Sequence, residues 1–265
     1  MPSALLHLAL GQRCLRQGDW SPGEHAAAFA LGAIAPDGPR LRGASRSASH
    51  FWDSGDDTSG VIKLVGRHPR LLAQAAQSAP LQAYLLGYVC HLVADEQWIF
   101  TIYRKYFGRH SPYGGGPEGA ALQYAFHAQL EASPLFTADI AAGARWLDPA
   151  QPAPDLPWAA STDVAKWAQL VAETVPLKPG LPHFRHVLAG GHRLSEAEQH
   201  DWLTRYPQRT RTVATYVDDA DVQTFANRAT AAGIEAVGTV LGRMQGLSPH
   251  ALAPAAVTEG LTRLG

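Results

Sequence analysis

The chain has 265 residues, of which 46% are hydrophobic and 17% are charged. This composition excludes an intrinsically disordered protein and supplies enough apolar side chains for one large domain. Because 22 Lys and Arg balance 23 Asp and Glu to a net charge of −1, we expect no nucleic-acid partner recruited by general positive charge.

The two cysteines and the N-terminal segment indicate the cellular compartment in which the protein resides. Cys14 and Cys90 are too few for a disulfide framework or a cysteine-based zinc site. No apolar run approaches the roughly 18 residues that a membrane-spanning helix requires. The segment from Met1 to His7 lacks the basic region and cleavage site of a secretory signal. We therefore expect a cytoplasmic protein with reduced thiols and no stable membrane insertion.

Apolar residues at helical spacing dominate the first part of the chain. They predict helices over residues 3–16 and 22–31, the second capped by Ser21 before Pro22. Glycine and serine predict a loop over residues 32–49, and a third helix begins at Pro69 and ends near residue 78.

A long helix over residues 81–107 is the strongest prediction, because its sequence is apolar almost all round and belongs in the core. The Gly114-Gly115-Gly116-Pro117 stretch interrupts the helical pattern, and a further helix follows it and ends near Ala132. After a proline-rich loop over residues 148–157, the predicted helices cover residues 162–175, 195–206 and 219–245.

Alternating β-branched runs that would predict strands are nearly absent. The predicted fold class is therefore all-α, a compact multi-helix bundle. We expect one domain over residues 1–265, with the chemistry-bearing half at residues 1–147 and a helical C-terminal half at residues 158–265.

Two pairs of ligand-type side chains share the same helical spacing. His91 and Asp95 lie four residues apart in the long predicted helix, and His127 and Glu131 repeat the spacing in the next. Four residues turn about 400°, so each pair projects from one face. An imidazole and a carboxylate at this spacing can share a zinc ion, although a single such pair is more often a solvated contact.

Three further candidates precede these pairs. His7 lies among leucines in the first predicted helix, Asp37 ends the apolar run Gly32-Ala33-Ile34-Ala35-Pro36-Asp37, and His50 lies in Ser49-His50-Phe51. Taken separately, Asp37 is typical of a turn and His7 of a core histidine.

In this order and context the residues resemble the zinc-dependent phospholipase C family. The resemblance covers residues 1–131 and rests on the early histidine, the Gly-Ala-Ile-Ala-Pro-Asp and Ser-His-Phe stretches, and the two pairs. It implies an all-helical bundle that holds two or three zinc ions in a core cleft. The implied ligands are Asp37, His50, His91 and Asp95 for the first zinc, His127 and Glu131 for a second, and His7 with bridging Asp95 for a third.

The chain departs from the family pattern at three points. Secreted members use the amino group of an N-terminal Trp as a ligand, whereas this chain begins Met1-Pro2, and their secretion signal is missing here. They also carry a histidine shortly after the His-x-x-x-Asp motif. Residues 98–101 contain none, and His110 is the next histidine in order.

The resemblance implies a zinc-dependent hydrolase of a phosphoester, acting as a phosphodiesterase or phosphatase. Adjacent zinc ions can hold phosphate oxygens and generate a bound hydroxide near neutral pH. Asp37 is the candidate catalytic residue, either as a ligand or as a general base. The expected substrate is a small phosphoester or a phospholipid-like molecule.

Two other functions stay open. His200-Asp201 is typical of HD-type metal phosphohydrolases, with one histidine upstream and one aspartate downstream as further ligands. The candidates for these two positions are His183, His186 and His192, and Asp218, Asp219 and Asp221. The alternative class is a helical protein that holds a metal and binds a lipid-like or phosphorylated ligand without turnover.

Overall fold

A computed structural model describes residues 2–52, 58–114, 116–175 and 195–246. These residues form eleven α-helices and no strand, so the all-α prediction is confirmed. No helix among them is long and apolar enough to cross a membrane. The proposed boundaries of a single domain stay a prediction.

The first part of the chain is more helical than expected. It contains α1 (Ala4–Gln17), a 3-10 turn (Gly23–His25), α2 (Ala26–Ile34), a 3-10 segment (Ala35–Arg42) and α3 (Arg46–His50). Ser3 caps α1 through its hydroxyl. The predicted loop over residues 32–49 is wrong, because Pro36 lies in the first turn of the 3-10 segment and Ser45 caps α3.

The central part contains the longest buried helix. It consists of α4 (Gly60–Arg67), α5 (Pro69–Ala75), α6 (Ala79–Trp98) and a π-helical segment (Ile99–Phe107). The helix predicted over residues 81–107 is therefore present, but its hydrogen bonding widens after Trp98. The amide of Gly108 donates to the carbonyl of Tyr103 at 2.6 Å, five residues earlier. Helix α4 was not predicted.

The remaining helices are α7 (Gly116–Ala132), α8 (Thr137–Ala144), α9 (Ser161–Thr174), α10 (Glu196–Tyr216) and α11 (Asp219–Met244). Helix α8 was not predicted. Helix α10 passes the expected end at Tyr206, with Pro207 inside it. Tertiary contacts support this extension, since Arg209 pairs with Glu118 of α7 at 2.7 Å and the Gln129 side chain donates to the Thr210 carbonyl.

Helices α2 and α6 pack at very short range, and this packing positions the site described below. A Cβ atom on Gly87 would lie 2.1 Å from the Phe29 carbonyl oxygen, and one on Gly32 would lie 2.0 Å from that of Tyr84. Only glycine permits such an approach of two backbones. It brings the C-terminal end of α2 against the middle of α6.

Candidate metal centre

Five of the seven predicted ligands converge on one buried place, which we call the cluster. It consists of His7 from α1, Asp37 from the 3-10 segment, His50 from α3, and His91 and Asp95 from α6. The three histidines and Asp95 are buried, and Asp37 is half-buried. Four separate segments therefore build the site.

Asp95 is the common partner of the three histidines. His7 Nε2 lies 3.3 Å from Asp95 Oδ1, while the Nε2 atoms of His50 and His91 lie 3.3 and 3.4 Å from Asp95 Oδ2. His50 Nε2 also lies 3.5 Å from Asp37 Oδ1. The rings of His7 and His91 stack in parallel, with centroids 3.6 Å apart.

Backbone carbonyls orient two of the imidazoles. His91 Nδ1 lies 2.8 Å from the carbonyl oxygen of Ala33, and His50 Nδ1 lies 3.2 Å from that of Arg46. Because a carbonyl only accepts, His91 Nδ1 carries the proton and donates it, which leaves His91 Nε2 unprotonated. His50 Nδ1 also lies 3.0 Å from Ser49 Oγ, which can donate or accept. The Nε2 atoms of His50 and His91 face each other at 3.2 Å.

The unprotonated His91 Nε2 and the anionic Asp95 Oδ2, 3.4 Å apart, repel each other unless a cation or a proton lies between them. Histidine ligands of metals are oriented in the same way, by a carbonyl or carboxylate on the other ring nitrogen. The donor set of neutral nitrogen and carboxylate oxygen suits zinc. The residues present therefore fit the metal that the resemblance implies.

The electrostatics keep the cluster in its ligand form. Burial lowers the pKa of His7 to about 4 and also lowers that of His50, so both imidazoles are neutral near pH 7. Burial alone would raise the pKa of Asp95, but the charge of Arg46 holds it well below its usual range. The pKa of Asp37 is likewise held below its usual range, against its burial, by its contact with His50, whose Nε2 lies 3.5 Å from Asp37 Oδ1.

Within the described residues, two sets of three side chains place their ligand atoms within 4.8 Å of one another. One set is His50, His91 and Asp95, and the other is His7, Asp37 and His91. The two sets share His91 and lie side by side. The geometry is compatible with more than one ion in the cluster.

Several supporting residues were not identified from the sequence. The Arg46 guanidinium forms an ion pair with Asp95. The Tyr88 hydroxyl donates to the Ser49 carbonyl and accepts a hydrogen bond from Trp158 Nε1 at 3.0 Å, which ties α3 to α6 beside His50. Arg46 lies four residues before His50, so its spacing on a helix was the only signal available in the sequence.

His127 and Glu131 belong to neither ligand set found in the described residues. They are buried on α7, where the His127 ring contacts those of Trp98 and Tyr124 with centroids 5.0 and 5.9 Å away. His110, the next histidine in order after the metal helix, is exposed and lies 3.3 Å from Arg109. The second zinc set stays a prediction.

The HD-type ligands do not come together in the part of the chain that the structure describes. His200 and Asp201 are exposed, and Asp201 pairs with Arg205 at 2.9 Å. Asp218 caps α11, whereas Asp221 pairs with Lys105. Asp219 lies in the first turn of the same helix. The upstream candidates His183, His186 and His192 lie outside the described residues.

The fold and the cluster together define an all-helical protein with a buried histidine and carboxylate centre suited to zinc. Residues 6–122 match the family model described as zinc-dependent phospholipase C, which confirms the resemblance over this part of the chain. The match contains all five cluster residues and ends before His127 and Glu131. No curated protein and no solved structure matches the chain.

Proposed function

We propose that the protein is a zinc-dependent phosphoesterase whose active site is the cluster. The observation that carries this proposal is the convergence of the His50 and His91 Nε2 atoms, 3.2 Å apart, on the ionised Asp95. The family match over residues 6–122 supports zinc as the metal and a phosphoester as the substrate class.

In this proposal, His50, His91, Asp95 and Asp37 hold the first zinc, and His7 with Asp95 holds part of a neighbouring one. The 3.3 Å separation of His7 Nε2 from Asp95 Oδ1, with Oδ2 facing the other two histidines, supports the bridging role of Asp95. His127 with Glu131 is the proposed second site, for which further ligands must come from elsewhere.

Bound zinc would supply positive charge for the phosphate oxygens and would activate a water molecule for attack on phosphorus. The protein contributes geometry and charge. The Ala33 and Arg46 carbonyls fix the imidazoles, and burial keeps His7 and His50 neutral. The low pKa of Asp37 makes it a weak base and favours its role as a ligand.

Hydrolysis by the zinc-loaded protein tests the proposal. The substrates are p-nitrophenyl phosphate, bis(p-nitrophenyl) phosphate and a short-chain phosphatidylcholine, which separate monoester, diester and phospholipid activity. We expect turnover of at least one, reduced more than about a hundredfold in Asp37→Asn, because a ligand should matter more than the outer-shell partners whose loss costs 10–100-fold. His200→Ala is the control and should keep the wild-type rate.

Two results would contradict the proposal. Zinc bound at the cluster without turnover of any of the three substrates would indicate a non-catalytic metal-binding protein. Loss of activity in His200→Ala but not in Asp37→Asn would instead place the chemistry at the HD-type motif.

A further inference from the structure

The guanidinium cation of Arg46 lies at the edge of the cluster, beside a carboxylate that the proposed zinc would also neutralise. The Arg46 guanidinium contacts Asp95 Oδ2, the oxygen that also faces His50 and His91 at 3.3 and 3.4 Å. The Arg46 side chain is 25% exposed, whereas that of Asp95 is 6% exposed. Arg46 therefore reaches from the solvent-facing rim to the buried carboxylate.

Its position is set by the same short helix that positions a ligand. Arg46 is the first residue of α3 and His50 the last, and the Arg46 carbonyl oxygen lies 3.2 Å from His50 Nδ1. The head group of Arg46 is thus attached to a backbone that cannot shift without moving His50.

A zinc ion bound by His50, His91 and Asp95 would take over the neutralisation of Asp95. The guanidinium would then lie beside a divalent cation without its own counter-ion, which is unfavourable unless an anion reaches both. Arginine presents a planar set of donors that matches two oxygens of a phosphate. A phosphoryl group at the cluster satisfies the zinc and the guanidinium together.

We propose that Arg46 binds the phosphoryl group of the substrate at the rim of the cluster. This inference rests on the proposed function and names the residue that recognises the substrate's charge. Arg40 also reaches a cluster carboxylate, but at longer range: its Nη1 lies 3.7 Å from Asp37 Oδ1, and its side chain is 47% exposed. Arg42 pairs with Asp163, outside the cluster.

Binding of inorganic phosphate to the zinc-loaded protein, measured by isothermal titration calorimetry, tests this role without turnover. We expect Arg46→Met to weaken phosphate binding roughly tenfold or more and Arg46→Lys to give an intermediate loss, because lysine keeps the charge but not the paired donors. Arg42→Met, a matched change four residues earlier in the chain, should stay within about twofold of wild type. Zinc content is measured on every sample.

Unchanged phosphate affinity in Arg46→Met at wild-type zinc content would overturn the inference. A fall in zinc content in both Arg46 variants would overturn it as well, because Arg46 would then support Asp95 rather than bind phosphate. If phosphate binding depends on Arg46 but the wild type hydrolyses no phosphoester, the proposed function fails and the Arg46 assignment stands. If the wild type hydrolyses phosphoesters and the KM of Arg46→Met is unchanged, only the Arg46 assignment fails.

Discussion

Two His-x-x-x-acid pairs lie on long helices of this protein, and their surroundings differ. His91 and Asp95 on α6 meet three further ligand-type side chains from three other segments. His127 and Glu131 on α7 have the same spacing and are also buried, yet they belong to neither ligand set found in the described residues. Helical spacing therefore aligns two side chains, and tertiary packing determines whether others join them.

The packing of α2 against α6 is one physical origin of the difference. Gly32 and Gly87 let the two backbones approach, and this places the Ala33 carbonyl 2.8 Å from His91 Nδ1. The His91 ring is thereby turned with Nε2 toward the cluster. On α7 the His127 ring instead packs against the indole of Trp98.

The largest expected effect comes from removing the shared carboxylate. Asp95→Ala should weaken zinc binding more than about a hundredfold, because Asp95 contacts all three cluster histidines and ligand loss should exceed the 10–100-fold cost of losing an outer-shell partner. Zinc titration against a competing chelator measures this change. Glu131→Ala is the matched control, and we expect it to retain the tightly bound zinc of the cluster. Equal loss in both variants would remove the distinction between the two pairs.

A second test separates helix packing from ligand chemistry. Gly87→Ala should lower the free energy of unfolding by about 3 kcal/mol and weaken zinc binding, because the added Cβ would lie 2.1 Å from the Phe29 carbonyl oxygen and force α2 away from His91. Urea denaturation and zinc titration measure the two effects.

Gly238→Ala is the control for this change. Gly238 lies exposed in α11, and a Cβ there meets no atom within 4 Å. We expect a gain of about 0.5–1 kcal/mol from helix propensity alone. A stable Gly87→Ala protein with unchanged zinc affinity would show that the close approach does not orient the ligand.

The smallest expected effect compares Asp95 with its neighbour Glu96. Burial raises the pKa of Glu96 to about 7, partly offset by hydrogen bonds from Ser59 Oγ and the Gly60 amide at 2.9 and 2.7 Å. Between pH 4.5 and 7, Glu96 stays protonated in the folded protein but is ionised in the unfolded chain. The free energy of unfolding therefore falls as the pH rises through this range.

Glu96→Gln should therefore stabilise the zinc-free protein at pH 8 by about 1–2 kcal/mol and have little effect at pH 5. Urea denaturation at the two pH values measures the difference. Glu24→Gln, at a side chain that is 88% exposed, should show no such pH dependence. A gain of the same size at both pH values would show that Glu96 is ionised in the folded protein.

Much of the fold and of the site was predictable from local sequence. The helical periodicity located α1, α6, α7, α9 and α11, and the ordered histidines and acids indicated the five cluster residues. Helix α10 was predicted to end at residue 206, whereas it continues through Pro207 to Tyr216. Proline breaks an isolated helix, and contacts with α7 support the continuation here.

The supporting residues were not predictable, because they depend on contacts between distant segments. Arg46 lies 49 residues from Asp95, and the carbonyl of Ala33 lies 58 residues from His91. Neither contact leaves a periodic signal in the sequence. The same reason explains why equal spacing in α6 and α7 did not indicate which pair would gain further ligands.

Anomalous diffraction at the zinc edge, from crystals of the zinc-loaded protein, tests the central claim most directly. We predict a peak about 2.0–2.2 Å from the Nε2 atoms of His50 and His91 and from a carboxylate oxygen of Asp95. Anomalous peaks confined to other positions, or none within coordination distance of these three residues, would contradict the assignment of the cluster as the metal centre.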